Sequence, residues 1–129
     1  MAAVTPSRPE RLGDQVRAEL AVLLQRSVRD PAVRLVTVTH VRMSKDLQHA
    51  RVFYTTLTEP DDRRATARGL RRAGPFLRRQ LAQRIRVRHV PELTFVYDDS
   101  LEREQRIAEV LEAIAETPPA PPDPSDTDR

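Results

Sequence analysis

The sequence predicts an α+β domain: a three-stranded sheet with helices packed on one face. Three observations lead there. Two β-branched runs, residues 35–43 and 49–57, are separated by only five residues, a spacing suited to an antiparallel hairpin. A long apolar stripe of helical period precedes them. A third alternating run, residues 93–97, follows a further helical region. The element order is therefore α-β-β-α-kink-α-β-α, and such an order is satisfied by helices layered on a sheet around one core. At 129 residues the chain has room for one such domain.

The first helix is expected over residues 8–29. Ser7 and Glu10 have capping-box spacing, and Pro9 is tolerated in a first turn. Leu12, Val16, Leu20, Leu23, Leu24 and Val28 form its buried stripe. Gly13 interrupts the first turns and weakens them by about 1 kcal/mol relative to alanine. Asp30-Pro31 closes the helix, because the residue before proline is pushed out of the α region.

In the first strand Val36 and Val38 lie in one phase and Val41 and Met43 in the other, which implies a bulge near His40. A basic helical region follows over residues 61–86, with Thr58, Asp61 and Asp62 as cap and first-turn residues. It is expected to break at Ala73-Gly74-Pro75, since Pro75 lacks an N–H and crowds the carbonyl four residues back. Leu77, Leu81 and Ile85 then mark a resumed helix. In the third strand Phe95 and Tyr97 share one phase and are assigned to the core, as is Phe76. Asp98, Asp99 and Ser100 offer caps for a last helix whose buried face would be Ile107, Val110, Leu111 and Ile114.

The ends read differently. Residues 1–7 are expected to be flexible. Residues 117–129, rich in proline and aspartate, cannot bury enough apolar surface to offset the entropy of ordering, so a disordered tail is expected. The domain proper is placed at residues 8–116.

Composition excludes several function classes. There is no cysteine, and so no disulfide, thiolate metal site or thiol nucleophile. No stretch approaches the roughly 20 apolar residues that cross a bilayer, and the first ten residues lack signal-peptide character. A soluble cytoplasmic protein is expected. His40, His49 and His89 lie in or beside separate strands, without metal-ligand spacing. Asp98-Asp99 read better as helix caps than as metal ligands. No nucleotide-binding loop or acyl-enzyme motif is present. No catalytic residue, metal, cofactor or small-molecule substrate is predicted.

Charge points elsewhere. The net charge is +3, but the last thirteen residues carry three aspartates against one arginine, which leaves +5 on the remainder. Lys45 is the only lysine. Arginine's forked guanidinium suits phosphate, although a GC-rich coding sequence would also favour arginine. The densest run spans residues 63–88 and holds Arg63, Arg64, Arg68, Arg71, Arg72, Arg78, Arg79, Arg84, Arg86 and Arg88 with no acidic residue among them. Arg64, Arg68, Arg71 and Arg72 share a helix face and repel one another, which an acidic partner would relieve. A solvated helix surface is the plainer explanation; the absence of acidic residues at i±4 favours nucleic acid over it. A helix restarting after Gly74 would add free N–H groups for an anion, although Pro75 removes one of them. With only five aromatic residues, RNA contact is expected mostly through phosphates and shape, not base stacking on a sheet. Two alternatives stay open at this point: a basic module docking an acidic protein, and a ribonuclease for which no residue set argues.

Three segments carry a resemblance. RPERL opens the first helix, RDPAVRLVTVTHVRMSKDLQHARVFYTTL runs through the hairpin, and RAGPFLRRQLAQRIRVRHVPELTFVYDDSLE continues into the last helix. The runs MSKDLQHARV and VPELTFVYDDS are the most specific. Over residues 8–116 the chain resembles the bacterial ribosome-binding factor A family. The resemblance implies a KH-like type II domain in which an Ala-x-Gly interruption replaces the GXXG loop. It also implies a non-catalytic late assembly factor that engages the 16S rRNA of the free small (30S) ribosomal subunit, promotes its processing and supports growth in the cold. Carried onto this sequence, the interruption falls at Ala73, Gly74 and Pro75, with proline where the family has glycine and the glycine one place early. The RNA-binding surface would comprise the arginines around that point, with Arg8, Arg11 and Lys45. A monomer is expected.

Overall fold

A computed structural model describes residues 5–116, which fall into two compact units, one ending at Asp98 and the other beginning at Asp99. The expected loose ends at residues 1–4 and 117–129 lie outside the described residues.

The first unit begins with helix α1, Arg8–Arg26, and the Ser7 hydroxyl caps it by accepting from the Glu10 N–H at 3.3 Å. The helix stops three residues earlier than predicted. Asp30 then caps a short 3-10 turn, Pro31–Val33, accepting from the Ala32 N–H at 3.0 Å. Leu12, Val16, Leu20, Leu23 and Leu24 are buried as one stripe. Gly13 is buried within it. A β-carbon there would lie 2.7 Å from the Val41 carbonyl oxygen, so α1 rests on the sheet at a distance only glycine permits. Its helix-propensity cost is the condition of that contact.

Strands β1, Val36–Met43, and β2, His49–Thr56, pair antiparallel, and the register slips between Val38 and His40, where a bulge was predicted. The slip lets Val38 and Val41 both face the core although they are three residues apart. Thr39 occupies it. Its hydroxyl lies 3.3 Å from the Phe53 carbonyl and 2.8 Å from the Asp98 carboxylate, which accept from it.

Helix α2 runs from Arg63 to Arg84 as one helix with Pro75 inside it. This corrects the expected division: the helix does not break at Gly74 and no second helix starts there. Proline deletes one hydrogen bond, the one to the Arg71 carbonyl. Pro75 is exposed, so the orphaned carbonyl lies on the side open to water, while Thr66, Leu70, Leu77 and Leu81 hold the buried side in place. The predicted capping is corrected as well. Asp61 and Asp62 belong to a 3-10 turn, Pro60–Asp62, and Asp62 precedes α2 without a side-chain cap. The Thr58 hydroxyl lies beside that of Thr56 at 3.1 Å.

Strand β3, Glu92–Tyr97, pairs parallel to β2, which completes a sheet of order β1-β2-β3. Leu93, Phe95 and Tyr97 stand opposite Ala50, Val52 and Tyr54 and pack against the core, as Phe76 does. The stripes of α1 and α2 close this face, giving the α+β, KH-like arrangement that was expected.

The second unit contains helix α3, Ser100–Glu116. Arg103 donates its N–H to the Asp99 carbonyl and pairs with the Asp99 carboxylate at 3.1 Å. The buried face predicted for α3 is corrected: Ile107, Val110, Leu111 and Ile114 are 57–64% exposed. Helical period marks which residues share a face, and does not by itself bury that face.

Candidate nucleic-acid interface

The buried stripe of α2 dictates what its other side presents. With Thr66, Leu70, Leu77 and Leu81 turned inward, Arg64, Arg68, Arg71, Arg72 and Arg79 are all exposed on the outward side, together with Pro75. No acidic residue occurs between Arg63 and Pro91. Only Arg72 in this row has an ion pair within the described fold, to Asp30 at 2.7 Å. That hydrogen bond, reinforced by the Ala32 N–H, holds the Asp30 carboxyl below its ordinary value. Beyond its chain neighbours and the helix's own backbone, nothing lies within 4 Å of the position a Gly74 β-carbon would take, so no other element packs on α2 at that point, beside Ala73 and Pro75.

Other predicted site residues are engaged inside the fold. Arg78 donates to the Pro91 carbonyl at 3.2 Å and to the Val90 carbonyl at 3.1 Å, pinning the segment that leads into β3. Arg84 pairs with Glu19 at 3.3 Å and so links α2 to α1. Arg63, outside the predicted set, lies 4.2 Å over the Tyr97 ring.

A second basic surface forms where α1 starts and α2 ends. Arg8, Arg11, Arg86 and Arg88 line an open groove of about 1230 Å³ together with Gln15, Gln48 and His89. The hairpin turn closes one side. Leu47 takes the left-handed conformation there, φ 63°, and Lys45 is exposed in the same turn. The one carboxylate lining the groove, Asp46, already accepts from the Ser44 hydroxyl and the Gln48 N–H, which hold its pKa below the ordinary value. Sequence spacing gave no reason to join Arg8 and Arg11 to Arg86 and Arg88. The fold does so because α1 and α2 lie on the same face of the sheet.

The face of the sheet opposite α1 and α2 holds basic residues that the sequence-based site left out. Arg42 stands directly across from Arg51 there, and His40 across from Phe53. The alternation of HARVFYTT contained the signal, but the cross-strand partners depend on the register set by the hairpin turn. Among the described residues no cluster of His, Asp and Glu is arranged to hold a metal ion, and no helix is long and apolar enough to cross a membrane.

Known proteins share these features. The model of the ribosome-binding factor A family matches residues 8–111. Ribosome-binding factor A of Thioalkalivibrio sulfidiphilus is 44% identical over 124 residues, covering 95% of each chain. That of Chromohalobacter salexigens is 46% identical over 112 residues, or 84% of this chain and 86% of its own. The crystal structure of ribosome-binding factor A from Thermus thermophilus superposes with a TM-score of 0.63 at 33% identity, covering 70% of this chain and 97% of that one. A Thermus thermophilus homology model fitted into a cryo-electron-microscopy map of a complex between the 30S subunit and ribosome-binding factor A gives 0.60 at 33% identity, with 70% and 96% covered. With its fold, its uncompensated arginine face and its sequence all in agreement, the chain belongs to the ribosome-binding factor A family.

Proposed function

We propose that this protein binds the free small ribosomal subunit in the cytoplasm through its 16S rRNA, and promotes late maturation of that subunit without catalysing a reaction. The observation that carries the reading is the outward row of α2. Arg64, Arg68, Arg71 and Arg79 are exposed there with no carboxylate partner among the described residues. An RNA backbone supplies the missing negative charge at regular intervals, and guanidinium groups match phosphate in a forked geometry. The groove lined by Arg8, Arg11, Arg86 and Arg88 extends the basic surface beyond one helix. The Thermus thermophilus relative fitted into a 30S complex supports the choice of partner.

Cosedimentation with isolated small subunits tests the reading. Arg68→Glu/Arg71→Glu is the appropriate charge reversal, since neither residue has an ion pair to lose among the described residues, whereas Arg72 is joined to Asp30. The variant is expected to keep the circular dichroism spectrum of the parent and lose subunit binding. Undiminished binding by the folded variant would refute the proposal. Binding that survives removal of RNA would point to an acidic protein as the partner.

A further inference from the structure

The face of the sheet opposite α1 and α2 carries a cost that the fold does not explain. Arg42 on β1 and Arg51 on β2 are directly opposed, both exposed, and neither has an ion pair among the described residues. Like charges directly across an antiparallel pair are destabilising. The one carboxylate on this face of the three strands, Glu92, sits opposite His49 at 3.4 Å and leaves the arginines uncompensated. In the next row, the His40 and Phe53 rings are stacked, with centroids 6.1 Å apart and planes 28° from parallel. The Arg51 guanidinium lies 5.9 Å from the Phe53 centroid, between the two rows. On β3 the rows end in Thr94 and Val96, neither of which is charged.

Paired cations beside a cross-strand pair of aromatic rings suit a particular ligand. A duplex offers phosphates but keeps its bases stacked on each other. A single strand offers phosphates and free base faces together, and stacking on aromatic side chains tolerates any base. An acidic protein would satisfy the arginines and leave the ring pair unused. We infer that this face of the sheet is a second RNA contact, which takes a single-stranded segment with a base against His40–Phe53 and phosphates on Arg42 and Arg51. The inference rests on the RNA-binding reading above and adds to it a surface opposite α1 and α2, where one ring pair departs from the expectation, drawn from the few aromatic residues, that bases do not stack on the sheet.

The test uses the full chain and two fluorescent probes, an oligoadenylate of about ten nucleotides and a blunt-ended RNA duplex of two strands, followed by fluorescence anisotropy. Arg42→Gln/Arg51→Gln removes a mutual repulsion, so it is expected to fold at least as well as the parent. It should weaken oligoadenylate binding about tenfold or more and reduce the salt slope by about 1.4, which is two phosphates at about 0.7 each. Phe53→Leu keeps an apolar side chain but no ring, and should weaken the oligoadenylate while leaving the duplex unaffected. Arg68→Glu/Arg71→Glu, on the helix side, should weaken the duplex more than the oligoadenylate.

Parent-like oligoadenylate binding by Arg42→Gln/Arg51→Gln would overturn the inference. So would a parent that cosediments with small subunits yet binds no oligoadenylate, an outcome that leaves the assembly-factor reading standing. A parent that binds neither subunits nor oligoadenylate would overturn both.

Discussion

Replacing Gly13 with alanine sets two effects of known size against each other. In an open helix the change is favourable by about 0.8–1.0 kcal/mol, because glycine loses more backbone freedom on folding. At this position the new methyl would lie 2.7 Å from the Val41 carbonyl oxygen, an atom of the β1 backbone that cannot turn aside. Relieving that contact requires α1 to lift from the sheet, and overpacking of this kind costs about 1–3 kcal/mol. The net expectation is a loss of about 1 kcal/mol, or roughly 4–8 °C in Tm for a domain of this size. Thermal unfolding of the variant, followed by circular dichroism, reads which of the two effects wins. A Gly13→Ala protein as stable as the parent or more so would refute the close seating of α1 on β1.

Three further outcomes follow. Arg78→Ala should cost about 1 kcal/mol in urea unfolding, because two charge-assisted hydrogen bonds to the Val90 and Pro91 carbonyls are lost from a side chain still open to solvent. An unchanged urea midpoint would show that those bonds do not hold the entry to β3. Asp30→Asn keeps a capping side chain but removes the charge that faces Arg72. The folded-state pKa of Asp30 is depressed, so its contribution is present above the ordinary value of 3.8 and is lost as pH falls through the folded-state value. Parent stability should therefore drop more than that of Asp30→Asn across this acid range, and parallel acid profiles would contradict the assignment. Small-subunit affinity should fall roughly a hundredfold between 50 and 200 mM salt if about five phosphates are neutralised, at a slope of about −0.7 per phosphate. A flat salt response would exclude phosphate contacts as the main source of affinity.

Much of this was legible in the residues. The α1 stripe, the hairpin and the bulge before His40 follow from period and phase, which are local properties. What the sequence concealed depends on tertiary context. Pro75 reads as a break because a helix interior disfavours proline, yet the buried Leu70 and Leu77 on either side hold the helix through it. The α3 stripe has the period of a buried face, but period cannot say whether a surface exists to meet it. The arginines of residues 63–88 look like one surface in the sequence. In the fold they separate into an outward row, a groove at the end of α2, and two side chains, Arg78 and Arg84, spent on internal bonds. Parallel pairing of β3 could not be read from an alternating pentapeptide, since alternation records which face a residue takes and not strand direction.

The slip at Thr39 decides more than the shape of one strand. Counting back from Met43 without it, Thr39 would point inward opposite Tyr54, and Val38 would be turned to solvent. One supernumerary residue thus acts as a phase shifter: upstream of it odd and even positions exchange roles, downstream they do not. On the turn side His40 and Arg42 keep the partners Phe53 and Arg51 that the hairpin sets, whereas on the other side the filling of the core by Val38 hangs on this slip. The Thr39 hydroxyl, lying between the β2 backbone and Asp98 at the end of β3, is the clasp that keeps it. Any change that lets this residue re-enter the ladder would disturb the inside and the outside of the sheet together.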